Sequence, residues 1–176
     1  MAANGETAPQ WKTTIIASSS LRNHDTNRML SAQQHRIRFS DSVESGVFIF
    51  PLSGTAFLLV DPQDLPERLE ESGLIERINT FVQVHRNSFL LLFAPFNGTR
   101  EMEIFTVIQH RFFGSNLRIL PVRNNAEIVK GMLTVAKASV FFVIYRPPVS
   151  LMLTVSAIGC FWLGLTSLKA VLCGRC

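Results

Sequence analysis

Two uncharged and strongly apolar segments, Thr55–Val60 and 88–94, restrict the fold of this chain more than any other feature. A strand without polar positions is buried on both of its faces. The segments 67–86 and 99–113 instead repeat apolar residues every three or four positions, which is the pattern of amphipathic helices. This alternation predicts an α/β fold, in which helices cover both faces of a sheet.

Shorter patterns complete the predicted order of elements. Further strands are predicted at 11–17, 36–40, 47–50 and 117–122, and further helices at 25–34 and from 124 to about 138. The strand at 47–50 is expected to form a hairpin with the strand at 36–40, because a turn-like segment separates them. Asn124, followed three residues later by Glu127, has the spacing of a capping box and predicts the start of the last helix.

Composition divides the chain near residue 139. Residues 1–10 are polar and are interpreted as a disordered leader, and residues 11–138 as one α/β domain. The chain carries a net charge of +4, but residues 1–138 hold 14 basic and 13 acidic side chains, whereas residues 139–176 hold three basic and no acidic side chains. Most of the positive charge therefore belongs to an apolar tail and does not by itself indicate nucleic-acid binding.

The tail contains a window, 149–168, that has no charge over 20 residues. A span of this length matches the hydrocarbon core of a bilayer, which is about 30 Å thick. The tail is therefore either a membrane anchor, a buried hairpin or helix, or an unfolded apolar extension. All three cysteines lie in it, and Cys173 and Cys176 have the spacing of half a zinc site without a second pair nearby, so free or lipid-modified thiols are favoured.

Motifs for catalysis are missing from the sequence. It has no phosphate-binding glycine loop, no zinc-protease histidine pair and no nucleophile elbow. Asp61 ends an apolar strand, where metal-dependent nucleases place a ligand, but the next strand is uncharged and no Glu-x-Lys occurs. Asp61 is interpreted as a turn residue, and the four scattered histidines as surface or helix-face residues. We predict no catalytic residue, no metal ligand and no cofactor.

Basic side chains outside the tail are the remaining candidates for a functional surface. A phosphate backbone would be contacted by arginine and lysine, whereas the alternative is a solvated protein surface. Arg36 and Arg38 point to one face of the same predicted strand, because strand residues alternate. The DNA-contact candidates are Arg36, Arg38, Arg111, Arg118, Arg123 and Lys130.

Four segments carry a resemblance to a known family: 14–21, 39–44, 87–90 and 116–122. Over about residues 10–138 the chain resembles the vertebrate sporulation-sixteen homologue family. The resemblance implies an inactive XPF-nuclease-like central domain with a mixed sheet flanked by helices at 11–138. It also implies a helix-hairpin-helix module after this domain, which the atypical hydrophobic tail at 139–176 replaces. That ending is interpreted as a product of alternative splicing.

The function that the resemblance implies is that of a non-catalytic subunit in a meiotic complex. The partner would be the shortage-in-chiasmata XPF-like subunit, and the complex would bind branched or single-stranded DNA. It would stabilise intermediates of homologous recombination, promote crossing-over and support synapsis and synaptonemal complex integrity, with central element proteins as further partners. The expected location is the nucleus, on meiotic chromosomes. The alternative is a tail-anchored cytosolic α/β protein with a C-terminal membrane helix.

Overall fold

The computed structural model of the protein describes residues 11–65, 73–93 and 99–145. The chain divides into two compact units, Met1–Val140 and Phe141–Cys176. The first unit contains the sheet and its helices, and in the second only the helical residues 141–145 are described. The predicted leader and the uncharged window 149–168 lie outside the described residues.

The described ranges contain six strands and four α-helices. The strands are β1 (Thr14–Ser18), β2 (Arg36–Ser40), β3 (Val47–Phe50), β4 (Thr55–Val60), β5 (Asn87–Phe93) and β6 (Leu117–Val122). The helices are α1 (Asp25–Ala32), α2 (Leu74–Val84), α3 (Thr99–Arg111) and α4 (Asn125–Tyr145). The predicted bounds of β2, β3, β4 and β6 are confirmed. Helix α4 ends seven residues later than the sequence predicted, and residues 67–72 of the other long predicted helix are not described.

The strands form one mixed sheet in the order β2-β1-β3-β4-β5-β6. β1 pairs in parallel with β2, and β4, β5 and β6 are parallel to one another. β3 is antiparallel to both of its neighbours, β1 and β4. The predicted hairpin between β2 and β3 is therefore wrong. β3 is almost wholly buried and needs a neighbour on each side, whereas β2 exposes Arg36 and Arg38 and occupies the edge.

Apolar side chains form a core on each face of the sheet. On one face, α1 and α4 pack on the sheet through Leu30, Ile128, Val129, Met132 and Ala136. On the other face, α2 and α3 pack through Leu74, Ile78, Phe81, Ile104 and Ile108. The predicted α/β arrangement with covered faces is confirmed, and its physical cause is the run of apolar, uncharged residues along β4 and β5.

The start of α4 follows the predicted capping pair. The Glu127 N–H donates to Asn124 Oδ1 at 2.9 Å, and the Glu127 carboxylate accepts from the Arg123 N–H at 2.9 Å. The first contact satisfies an unpaired N–H of the first helical turn, and the second satisfies the N–H of the residue before the N-cap. Gly114, which follows α3, has a φ of +81°, a conformation that glycine adopts without steric penalty.

Candidate functional site

The carboxyl ends of β1 and β4 define the region where an open α/β sheet binds ligands. The chain leaves β1 into α1 on one face and leaves β4 toward α2 on the other face. Ligands in such sheets bind in the crevice where successive connections depart to opposite faces. In this protein β3 lies between the two strands, so the crevice is bordered by the loops that follow β1, precede β3 and follow β4.

His24 and Asp61 meet across this crevice. His24 is the N-cap of α1, and its Nδ1 accepts a hydrogen bond from the Thr26 N–H at 3.2 Å. Its Nε2 lies 3.7 Å from Asp61 Oδ1. Because Nδ1 accepts a bond, the proton of the neutral ring sits on Nε2 and faces the carboxylate. The sequence separated these residues by 37 positions and offered no signal for the contact.

A second contact at this edge fixes the loop before β3. Ser20 Oγ accepts from the Gly46 N–H at 3.0 Å and lies 3.0 Å from Ser18 Oγ. The Gly46 carbonyl in turn accepts from the Leu59 N–H at 2.8 Å. The serines that end β1 therefore hold a neighbouring loop, and their polar groups are used inside the protein.

Arg77 of α2 contacts two loops at the crevice, the loop before β3 and the loop after β4. Its Nη2 donates to the Ser45 carbonyl at 2.5 Å. Its Nε lies 3.8 Å from Glu44 Oε1, and its Nη1 lies 3.9 Å from Asp64 Oδ2. Glu44 and Asp64 thus share one guanidinium, whereas the carboxylate of Asp61 faces His24. In the described ranges no three His, Cys, Asp or Glu side chains are grouped to hold a metal ion.

The six DNA-contact candidates do not form one surface. Arg36 and Arg38 lie on β2, whereas Arg118 lies on β6 at the opposite edge, where its guanidinium is 5.4 Å from the centre of the Phe89 ring. Five strand spacings separate these edges, which is about 24 Å. Arg36 and Arg38 do share one face, as predicted, because both are exposed while Ile37 between them packs on the core.

The other three candidates lie on different elements. Arg111 ends α3 and borders a cleft of about 590 Å³ together with Ile75, Phe112 and Phe113. Arg123 follows β6 and borders a groove of about 370 Å³. Lys130 is exposed on α4. Three of the six candidates therefore lie on the two edge strands of the sheet, and the other three are single residues on separate elements.

The histidines were predicted at surface or helix-face positions; His85 lies at the end of a helix, whereas His35 is buried. His35 is only 7% exposed, because its ring packs on Trp11 and its Nδ1 accepts from the Thr13 N–H at 3.3 Å. His85 is half-buried at the end of α2, with its ring 4.9 Å from that of Phe81. Burial lowers the pKa of both side chains below the ordinary value of 6.5. The prediction of surface positions is wrong for His35.

Solved structures with the same arrangement of sheet and helices give the class of protein, which is the XPF nuclease-like fold. XPF from Aeropyrum pernix in complex with DNA matches 72% of this chain with a TM-score of 0.61 and 10% identity. XPF from the same organism without DNA matches 72% of the chain with a TM-score of 0.60 and 11% identity. The chain spans 64% and 61% of those two structures, less than two thirds of each. At this identity the likeness shows the fold.

The particular family follows from sequence similarity. The family described as Protein SPO16 homolog matches residues 9–146. The Protein SPO16 homolog of Homo sapiens is 45% identical over 139 residues, which cover 79% of this chain and 77% of the human protein. The chain belongs to the SPO16 homolog family, and the resemblance found in the sequence is confirmed.

The crevice does not fit the divalent cation that a nuclease of this class of fold implies. Such an ion is held by several oxygen ligands, usually carboxylates. Here the carboxylate that ends β4 faces an imidazole already engaged in capping a helix, and β5 carries no charged side chain. These residues therefore do not supply the set of oxygen ligands that a divalent cation needs.

A membrane anchor was one alternative that the sequence offered for the apolar tail. No helix in the described ranges is both long and apolar enough to cross a bilayer. The candidate anchor at 149–168 and the three cysteines lie outside those ranges.

Proposed function

We propose that this protein is the non-catalytic subunit of a meiotic complex with the shortage-in-chiasmata XPF-like subunit. The complex binds branched or single-stranded DNA, stabilises recombination intermediates, promotes crossing-over and supports synapsis and synaptonemal complex integrity. Central element proteins of the synaptonemal complex are further partners. The protein acts in the nucleus, on meiotic chromosomes.

The observation that carries this proposal is the combination of SPO16 homolog family membership with an XPF-like sheet whose crevice is occupied by internal contacts. The polar groups at this crevice bind other parts of the protein. His24 caps α1 and contacts Asp61, and Arg77 binds the loop before β3. A site built in this way supports a scaffolding role better than phosphodiester hydrolysis, which needs a positioned cation and water.

DNA contact in the proposed complex depends on which edge of the sheet lies next to the DNA. Arg36 and Arg38 supply two exposed cations on one edge strand, and Arg118 supplies one on the other. Arg111, Arg123 and Lys130 are exposed singly. Contacts of this kind recognise the phosphate backbone and would weaken as salt rises.

Co-expression with the XPF-like subunit tests the proposal. Three chains are compared: the full chain, a chain that ends after Tyr145 and so keeps all of α4, and a chain with the usual family ending. We expect all three to co-purify with the partner, and the third chain to pair most strongly, because the family resemblance implies a helix-hairpin-helix module that supports pairing. Failure of all three to pair, or diffuse staining without foci on prophase chromosomes, contradicts the proposal.

Nuclease assays test the non-catalytic part separately. We expect no cleavage when the purified complex is incubated with branched DNA and Mg²⁺. The Asp61→Ala variant shows whether any cleavage that does occur depends on this carboxylate. Cleavage that depends on Asp61 would show an active nuclease and overturn this part alone.

The second candidate function, a tail-anchored cytosolic protein, rests on the uncharged window 149–168. It predicts membrane association that resists carbonate extraction and disappears in the chain that ends after Tyr145. Soluble full-length protein after carbonate treatment rejects it.

A further inference from the structure

Strand β2 forms one edge of the sheet and has an open hydrogen-bonding side. The Arg36 N–H donates to the Thr13 carbonyl at 3.0 Å, so the main chain of Arg36 faces β1. In a parallel pair, alternate residues face the neighbouring strand, and the residues between them face away. Ile37 and Phe39 therefore direct their N–H and C=O groups outward, where the described chain places no further strand.

The part of the chain that leads to and includes β2 carries an excess of basic side chains. Residues 11–40 contain five basic and one acidic side chain, whereas residues 41–65 contain four acidic and no basic side chains. The one acidic residue, Asp25, lies 3.4 Å from Arg28. Neither Arg36 nor Arg38 takes part in an ion pair within the described ranges. Their side chains are exposed, and strand geometry separates them by about 6.6 Å.

Within the described ranges, no helix packs on the face that carries these arginines at this end of the sheet. Arg36 and Arg38 are in register with Thr14 and Ile16 of β1, and these two are only half-buried. The apolar cluster under α2 and α3 takes buried residues from β3, β4 and β5 but none from β1 or β2. On the opposite face, Phe39 packs on the core and Arg22 lies 5.1 Å from the centre of its ring.

We propose that the β2 edge binds an extended acidic peptide segment of a partner protein by strand addition. The main chain of the peptide pairs with Ile37 and Phe39, and its acidic side chains lie on the side of Arg36 and Arg38. Its alternate, apolar side chains lie on the side of Phe39. This site needs neither the XPF-like subunit nor DNA, so it can be tested on the protein alone.

A peptide fits this edge better than a nucleic acid does. The outward groups of Ile37 and Phe39 alternate between hydrogen-bond donors and acceptors. A peptide main chain offers both kinds of group in the same alternation. A phosphodiester chain offers acceptor oxygens to the arginines but would leave the outward carbonyl groups without donors.

Fluorescence anisotropy with the full chain tests the site. The probe is a labelled peptide of alternating Glu and Val, and we expect its binding to weaken as NaCl increases. Arg36→Glu combined with Arg38→Glu should weaken binding at least about tenfold, since two charge pairs become repulsive. Arg86→Glu combined with Lys137→Glu changes the net charge equally at exposed positions outside β2 and should leave binding unchanged. Circular dichroism checks that both variants fold.

Two N-methylated probes test the main-chain pairing on the unaltered protein. The Glu and Val amides face opposite edges of the extended peptide. Methylation of the Glu amides therefore blocks parallel addition to β2. Methylation of the Val amides blocks antiparallel addition. Only one of the two probes should lose binding, by at least about tenfold. Equal binding of both probes, or full competition by an oligothymidylate of the same charge, would overturn strand addition.

Discussion

His24 Nε2 lies 3.7 Å from Asp61 Oδ1, and this contact links the N-terminus of α1 to the end of β4. Because α1 and α2 lie on opposite faces of the sheet, the contact closes the crevice between the two connections. The same imidazole caps α1 through its other nitrogen. One side chain thus has a local and a long-range role, and substitutions can separate them.

Replacement of His24 should act through the helix cap. We expect His24→Ala to lower the free energy of unfolding by about 1 kcal/mol, and His24→Asn to restore most of it, because asparagine is a favourable N-cap. Asp61→Asn should change it by less than about 0.5 kcal/mol, since the partly exposed carboxylate is screened by solvent. Urea unfolding measures all three. An Asp61→Asn effect as large as that of His24→Ala would show that the ionic contact dominates.

Gly46 should be intolerant of a side chain. Its φ is +76°, and an added Cβ would lie 2.5 Å from Arg77 Nη2 and 2.9 Å from the Leu59 carbonyl oxygen. We expect Gly46→Ala to destabilise the protein by about 2–4 kcal/mol, from backbone strain together with the clash. Gly54 is the matched control, since its φ is +62° but nothing lies within 4 Å of an added Cβ. Gly54→Ala should cost about 1 kcal/mol in the same urea experiment. Similar losses in both variants would contradict the close approach.

Stability should fall in mild acid because of His35 and His85. Burial lowers the pKa of both in the folded protein, so the unfolded chain binds protons first as the pH falls below 6.5. The free energy of unfolding is then fully retained above that pH and decreases below it. Urea midpoints at pH 7.5 and pH 5 measure the decrease, and His35→Gln combined with His85→Gln should reduce it. An unchanged decrease in the double variant would assign it to other groups.

Phe57 should contribute strongly to stability. It is fully buried, and its ring centre lies 5.2 Å from that of Phe89 and 5.4 Å from that of Phe50. We expect Phe57→Ala to cost about 3–5 kcal/mol through lost burial and the resulting cavity. Phe113, which is 89% exposed beside Gly114, is the control, and Phe113→Ala should change stability by less than about 0.5 kcal/mol. Thermal unfolding compares the two, and comparable losses would contradict this assignment of the core.

Local patterns in the sequence predicted most elements for a simple reason. The buried strands β4 and β5 have apolar runs that only a two-sided core can accept, and α2 and α3 have the period of a helix packed on one face. The start of α4 was predicted because Asn124 and Glu127 interact within one turn. Such features depend on residues a few positions apart.

The pairing of strands was predicted less well. β2 and β3 are close in sequence, yet β1 lies between them in the sheet. Which strand pairs with β3 depends on how many sides of each strand must be buried. That burial is set by residues from the whole domain. The end of α4 was predicted too early, although the apolar sequence continues after Ala138 and Pro147 and Pro148 are a stop signal just beyond the observed end at Tyr145.

The sequence by itself determined the α/β class, the family and the residue types available for contact with partners. Only the tertiary structure decided that His24 meets Asp61, that Arg77 joins two acidic loops, and that Arg36 and Arg118 lie on opposite edges of the sheet. Element formation is governed by short-range periodicity and capping. The positions of charged side chains relative to one another are governed by strand order, which is settled when distant segments bury their apolar faces together.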